Sequence, residues 1–249
     1  MRADQLLVER GLAASRSQAQ RLIAAGLRWR APGGWKAVAK NGDELPADAE
    51  LQLADAAESR YVSRGGLKLE GALRAAGVEP RGRLCLDVGQ STGGFTDCLL
   101  QHGARRVVGV DVGHGQLHER VRRDPRVACF EGLNARGLSA ADLGADAGPF
   151  ALMVGDVSFI SLTLVLPALV PLLAPGGELL MLVKPQFELQ PGQVGKGGIV
   201  RDASLYPVVE QRLRQACQAL GLRVLGWHDS AIAGGDGNRE FFIHARQGD

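Results

Sequence analysis

The chain has few cysteines, no long apolar run and no excess of charge. Its four cysteines (Cys85, Cys98, Cys129, Cys217) are scattered over 249 residues without a Cys-x-x-Cys pair. That excludes a disulfide framework and a cysteine-built zinc site, so no metal is expected and a reducing compartment fits. No stretch approaches the ~20 apolar residues of a membrane-crossing helix, so no membrane partner is expected. The opening, MRADQLLVERGL, interleaves charges with its leucines and is not read as a secretory signal; the expected location is cytoplasmic. With a net charge of only +2, the whole-chain balance names no partner. Internal repeats and low-complexity tracts are lacking too. What is there is a chain that is 45% hydrophobic, enough for a sizeable core and for one catalytic domain with a small companion.

Charge is uneven locally. Residues 1 to 42 carry eight basic side chains against two acidic ones, and residues 43 to 58 carry six acidic and none basic. The basic half reads as two short helices. One runs from Asp4 to Arg10 and ends at Gly11; the other starts near Ser15 or Ser17, each with a glutamine three residues on, and stops at Gly26. Residues 28 to 53 read as short strands with turns at PGG and NGDELP. A helix pair carrying Arg10, Arg16 and Arg21 would present guanidiniums to phosphates; the plain alternative is a solvated basic helix face, and both stand. Residues 54 to 64, ADAAESRYVSR, read as a linker. The expected division is a small α+β module over 1–58 and a larger α/β domain over 59–249.

In the larger part strands and helices alternate. RLCLDVG (83–89), VVGVDVG (107–113), FALMVGD (150–156) and ELLMLVK (178–184) read as strands, with apolar helical stretches between them such as 95–102 and 162–173. That pattern implies a parallel sheet with helices on both faces. After a helix from about Ala203 to Leu220, LRVLGWH and REFFIHA flank the glycine-rich AGGDGN and read as a hairpin at the sheet edge.

The most informative local motif is LCLDVGQSTGGFTDCLL. A buried strand runs into Asp87, then a loop with Gly89, Ser91, Gly93 and Gly94, then a helix from Phe95. Such a loop sits at the carboxyl end of its strand, where open α/β sheets bind ligands. The dinucleotide spacing G-x-G-x-x-G is not met, because Ser91 stands at the second glycine. A pyrophosphate is therefore disfavoured, and Asp87 suits a cationic, amino-acid-like ligand such as S-adenosylmethionine. Asp111 ends the next strand, where an acid takes ribose hydroxyls, and Asn134 follows a third apolar segment and suits an adenine edge. Each signal alone is usually only a turn; three in order point to a nucleoside-type cofactor.

Four further residues share no local motif. Asp156 and Lys184 follow successive strands and so reach the same rim as the loop. Lys68 opens the first helix of the larger domain in SRGGLKLEGAL, and Glu240 starts the last strand in GNREFF. For any one of them the plain alternative is a surface ion pair of little worth. That alternative is weakest for Lys184, which ends the apolar run LLMLV and is biased by Pro185 to an extended backbone. Two lysines and two acids around one cleft suit alkylation of a hydroxyl. A lysine near ~10.4 is tuned down by a neighbouring cation and up by an acid, and can orient or accept a hydroxyl proton.

The stretches SRSQAQRLI, YVSRGGLKLEGAL, LDVGQSTGGFTDCLL, GVDVGHGQL, GDVSFISL, LVKPQFE, KGGIVRD and GNREFF together resemble the TlyA family, often labelled hemolysin A, of bacterial ribosomal RNA 2′-O-methyltransferases. The resemblance covers nearly the whole chain, in the family's order. It implies a Rossmann-like, FtsJ-like methyltransferase sheet with an antiparallel edge hairpin, preceded by an RNA-binding module of ribosomal-protein type. It implies S-adenosylmethionine as cofactor, ribosomal RNA or ribosomal subunits as partner, and a ribose hydroxyl, by this reading of cytidine, as acceptor. The family's Lys-Asp-Lys-Glu tetrad falls on Lys68, Asp156, Lys184 and Glu240, and its cofactor loop on Gly89 to Phe95 with Asp111 and Asn134 beside adenosine. Arg64, Lys196 and Arg201 join the basic RNA-contact candidates, with KGGIVRD read as a mobile loop over the RNA; the alternative is an ordinary loop before a helix capped by Asp202. Gln90 departs from the family's small residue, which bears on the methionine end of the pocket, and LRWRAPGGWKAVAKNGDELP departs from its usual hairpin. Three rivals remain. A base-modifying amino methyltransferase would carry an Asn/Asp-Pro-Pro-aromatic run where DVSFIS stands. A membrane-lytic protein would carry a span or a long cationic amphipathic helix. A non-catalytic RNA-binding assembly factor would have lost the tetrad.

Overall fold

The computed structural model describes residues 1–13, 15–24, 26–52, 60–234 and 237–248, with Arg21 described by its backbone alone. The expected boundary at 58/59, most of the linker, and part of AGGDGN lie outside the described residues. The chain forms two compact units, Met1–Leu67 and Lys68–Asp249, whose division falls inside the Gly65–Ala76 helix.

The first unit packs the helices Ala3–Glu9 and Arg16–Ala24 against a small antiparallel sheet of β1 (Arg28–Ala31), β2 (Gly34–Ala37) and β3 (Leu51–Gln52), in the order β2-β1-β3. Leu6, Leu7, Leu22, Ile23 and Leu27 form its core. The second helix begins where the serine–glutamine spacing places it: Gln18 N donates to Ser15 Oγ at 3.3 Å, which satisfies an orphan donor of the first turn.

The second unit holds a seven-stranded sheet made of β4 (Leu84–Val88), β5 (Arg106–Asp111), β6 (Val127–Glu131), β7 (Phe150–Gly155), β8 (Leu173–Val183), β9 (Leu222–Asp229) and β10 (Phe241–Gln247). The order is β6-β5-β4-β7-β8-β10-β9. The first five strands are parallel; β10 pairs antiparallel with both β8 and β9. The expected edge hairpin is present, with β9 outermost. β8 reaches back to Leu173, five residues before the expected strand start, and Val127–Glu131, expected only as an apolar segment, is a strand. Strands β4, β7 and β8 are mostly apolar because helices cover both faces, with Asp87 and Glu178 as their buried acids; Leu86, Val88, Met153, Leu179, Met181 and Val183 fill the centre of the core.

The chain builds outward from β4 to β6, then returns to lay β7 on the other side of β4. The strand order reverses between β4 and β7, which places the ligand crevice beyond the carboxyl ends of those two strands.

Candidate active site

The loop after β4 is shaped by its neighbour β7. Gly89 has φ +80°, and a Cβ there would lie 2.6 Å from the backbone oxygen of Asp156, so no side chain fits. Ser91 also takes a left-handed backbone, φ +47°. Asp111 ties this loop down: its Oδ2 accepts from Ser91 N and its Oδ1 from Gly113 N, both at 2.7 Å. A cavity of about 480 Å³ opens here, lined by Gly89, Ser91, Asp111, Asn134, Asp156 and Phe159 among others. Asn134 stands at the start of a single 3₁₀ turn and accepts from Arg136 N at 3.0 Å through Oδ1.

Four cofactor candidates, Asp87, Gly93, Gly94 and Phe95, are not among the residues lining that cavity. Phe95 is 3% exposed and stacks on Phe242, with ring centroids 6.1 Å apart; its ring is core, because the helix Gly94–Gln101 turns that face onto the sheet. Gly94 is buried at the same helix start. Asp87 is fully buried beneath the loop. Burial above all pushes its carboxyl up to about 7, aided by the charges of Asp156 and Asp111 and opposed by the Thr96 hydrogen bond. Its Oδ2 accepts from Thr96 Oγ1 at 2.6 Å, and its Oδ1 is buried without a hydrogen-bond partner.

The tetrad assembles at the same rim. Lys184 follows β8 with φ −110° and ψ 102°, the extended geometry that Pro185 favours, and Pro185 opens the short helix Pro185–Glu188. Lys184 Nζ donates to Ser158 Oγ at 2.7 Å and lies 2.5 Å from Asp156 Oδ1, an ionic contact off the hydrogen-bond axis. Across the β8–β10 ladder Phe241 faces Val183, so Glu240 leaves β10 beside the end of β8. Glu240 Oε2 accepts from Lys68 Nζ at 2.5 Å, with the two side chains 3% and 9% exposed. Lys68 reaches it because its helix packs closely on the loop before β10: a Cβ at Gly71 would meet Ala231 Cβ at 2.6 Å. Burial is the main force raising the Glu240 carboxyl; Lys68 opposes it, and the charges of Asp156 and Lys184 act on Glu240 too. The four charges thus form one coupled group.

The chain belongs to the FtsJ-like methyltransferase family. That family's model matches residues 61–247, and the S4 domain model matches residues 1–27. Among curated relatives, the 16S/23S rRNA (cytidine-2'-O)-methyltransferase TlyA of Mycobacterium tuberculosis is 44% identical over 98% of this chain and 89% of its own length. Hemolysin A of Brachyspira hyodysenteriae is 38% identical over 98% and 99%. A solved Streptococcus thermophilus protein described as a hemolysin superposes with a TM-score of 0.77 at 40% identity, covering 100% of this chain and 89% of that one. An S-adenosylmethionine dependent methyltransferase from Mesorhizobium loti shares the fold, with a TM-score of 0.54 at 16% identity, covering 74% and 99%. The sheet is therefore the FtsJ-like, Rossmann-like one, preceded by an S4 domain.

The basic candidates divide. Arg10 is committed to structure: its guanidinium donates to the backbone oxygens of Ala47 and Ala49. Arg16 is exposed at the start of its helix, and Lys196 and Arg201 are exposed; Arg64 is half-buried just before Gly65–Ala76. The side chain of Arg21 lies outside the described residues. The KGGIVRD segment is held by Asn238, 2% exposed, whose Oδ1 accepts from Val200 N at 2.9 Å and whose Nδ2 donates to Gly198 O at 2.8 Å. Those two bonds tie the segment to the loop before β10. Asp202 does not cap the following helix, Leu205–Ala219; it accepts from Ser204, the capping position.

Two site residues went unread in the sequence. Ser158 holds Lys184. Phe159 is 90% exposed at the cavity mouth with φ +63°, and its ring lies 5.1 Å from that of Phe187. The signal was an aromatic in a strand-end loop three residues past Asp156. No helix among the described residues is long and apolar enough to cross a membrane, and no metal-binding cluster occurs among them.

Proposed function

We propose that this chain methylates a ribose 2′-hydroxyl of ribosomal RNA, on cytidine, with S-adenosylmethionine as methyl donor. The observation that carries the reading is the Lys184–Asp156 pair at the rim of the cavity, coupled to the buried Lys68–Glu240 pair. The pocket fits the donor. The unpartnered buried Oδ1 of Asp87 suits its ammonium, the side-chain-free face of Gly89 admits close approach, and Asp111 and Asn134 line the wall for ribose and adenine. Bound there, S-adenosylmethionine supplies a methyl carbon on a sulfonium that leaves as a neutral thioether.

The protein's share is positioning and proton handling. Lys184 orients the hydroxyl and, in its amine form, accepts the proton the oxygen sheds. Asp156 and Ser158 hold the Lys184 nitrogen in place. Lys68 and Glu240 fix the charge balance behind them, and holding the oxygen in line with the methyl carbon supplies much of the rate. Phe159 offers a stacking face for a base at the cavity mouth, and its left-handed backbone is strain of a kind kept at functional sites. Residues 1–58 are the RNA-binding module, with the exposed Arg16 facing RNA; Arg21, Arg64, Lys196 and Arg201 are further RNA-contact candidates, and the protein acts in the cytoplasm.

The test is transfer of labelled methyl from S-adenosylmethionine to ribosomal subunits and to naked ribosomal RNA, beside a Lys184→Ala control. Incorporation that depends on Lys184 supports the reading. No incorporation into any RNA by a protein that binds the cofactor contradicts it and leaves a non-catalytic RNA-binding factor.

A further inference from the structure

Gln90 does not line the cofactor cavity. It is 3% exposed, its Nε2 donates to Thr96 Oγ1 at 2.8 Å, and Thr96 in turn donates to Asp87 Oδ2 at 2.6 Å. All three side chains are buried. The amide occupies the space over Gly109, where an added Cβ would lie 2.0 Å from the Gln90 side chain, and Gly109 is the cross-strand partner of Asp87. Glutamine in the loop and glycine in the neighbouring strand are thus a matched pair beside one carboxylate. The chain of donors commits one oxygen of Asp87 to the protein and leaves the other, Oδ1, buried and unpartnered.

We propose that Gln90 and Thr96 are positioning residues that hold the Asp87 carboxylate ready for the ammonium of S-adenosylmethionine. The inference rests on the reading of Asp87 as the ammonium's partner. The physical reason is desolvation. A buried carboxylate is held in its charged form only by donors or cations: the hydroxyl and, more weakly, the backbone N–H of Thr96 favour the charge of Asp87, Asp156 and Asp111 raise its proton affinity, and the neighbouring thiols Cys85 and Cys129 are themselves pushed up by burial. Thr96 is the donor that offsets this, and Gln90 fixes the rotamer of Thr96 by occupying its oxygen. Without that hydroxyl the carboxyl takes a proton at higher pH, and the ammonium then meets a neutral acid.

The test is the affinity of the purified full chain for S-adenosylmethionine from pH 5.5 to 8.5, with 5′-methylthioadenosine, which lacks the amino-acid end, as the reference ligand. Thr96→Val is expected to weaken S-adenosylmethionine about tenfold at pH 6.5, less at pH 8.5, with the acid limb of the profile moved to higher pH. Gln90→Met should do the same more weakly, Thr96→Ser should restore wild-type binding, and 5′-methylthioadenosine should bind all variants alike. Equal weakening of both ligands, or a pH profile that does not move, overturns the proposal. Asp87→Asn separates the two levels: if it binds S-adenosylmethionine as the wild type does, the reading of Asp87 itself fails; if it loses binding while Thr96→Val does not, only the relay fails.

Discussion

Lys68 Nζ lies 2.5 Å from Glu240 Oε2, with less than a tenth of either side chain exposed. They are 172 residues apart in sequence. A buried pair of this kind is costly to break from one side, because the remaining charge has no partner. Glu240→Gln should therefore destabilise the protein by about 3–5 kcal/mol, read from urea denaturation. The double variant Lys68→Met/Glu240→Leu should recover most of that stability and none of the methyl transfer.

Removing the Lys184 side chain leaves the buried pair and the cofactor loop intact. Lys184→Ala should slow methyl transfer by at least ~10²-fold, the range of a lost acid–base group, with S-adenosylmethionine affinity within about twofold by calorimetry. Single-turnover rates beside binding isotherms check it.

The Asp87 carboxyl sits at about 7 against an ordinary 3.8, chiefly through burial. A raised acid favours the folded state most at low pH, and that contribution is lost as pH rises through the folded value. Wild-type protein without cofactor should lose stability relative to Asp87→Asn by about 1 kcal/mol per pH unit between pH 4 and 7, with a constant gap above. Denaturation series at four pH values measure the slope.

Phe159 is exposed and strained, so the fold does not depend on its ring. Phe159→Ala should keep or slightly raise thermal stability and weaken RNA binding by roughly tenfold or more, the worth of one stacked base. Cofactor affinity should not change.

Arg10 and Arg16 looked equivalent in the sequence and are not. Arg10→Ala should lower the stability of the N-terminal unit by about 1–2 kcal/mol, because two backbone oxygens lose a charged donor. Arg16→Ala should leave stability unchanged and reduce the salt dependence of RNA binding by about one unit of slope. Gel-shift titrations at several salt concentrations distinguish the two.

The strand-end acids and Lys184 were legible because an apolar run ending in a charge fixes both a strand and the rim its last residue reaches. Pro185 added the backbone direction, and Lys184 has it. Lys68 and Glu240 were legible only as charges at a helix start and a strand start; nothing local joins two positions 172 residues apart, since their pairing depends on Gly71 letting the helix approach Ala231. Phe95 misled because a loop motif does not say which way the next helix turns its first side chain. Arg10 misled because a surface arginine and one that caps backbone oxygens look alike until the chain has folded back. The hold of Asn238 on Gly198 and Val200 was invisible for the same reason.

The most direct test of the central claim is the chemical position of the transferred methyl. Ribosomal RNA labelled by the enzyme is digested to nucleosides and resolved by mass spectrometry. The account predicts label in 2′-O-methylcytidine, in a linkage that resists alkaline cleavage on its 3′ side, and none with Lys184→Ala. Label on a base, or undiminished ribose label with Lys184→Ala, would contradict it.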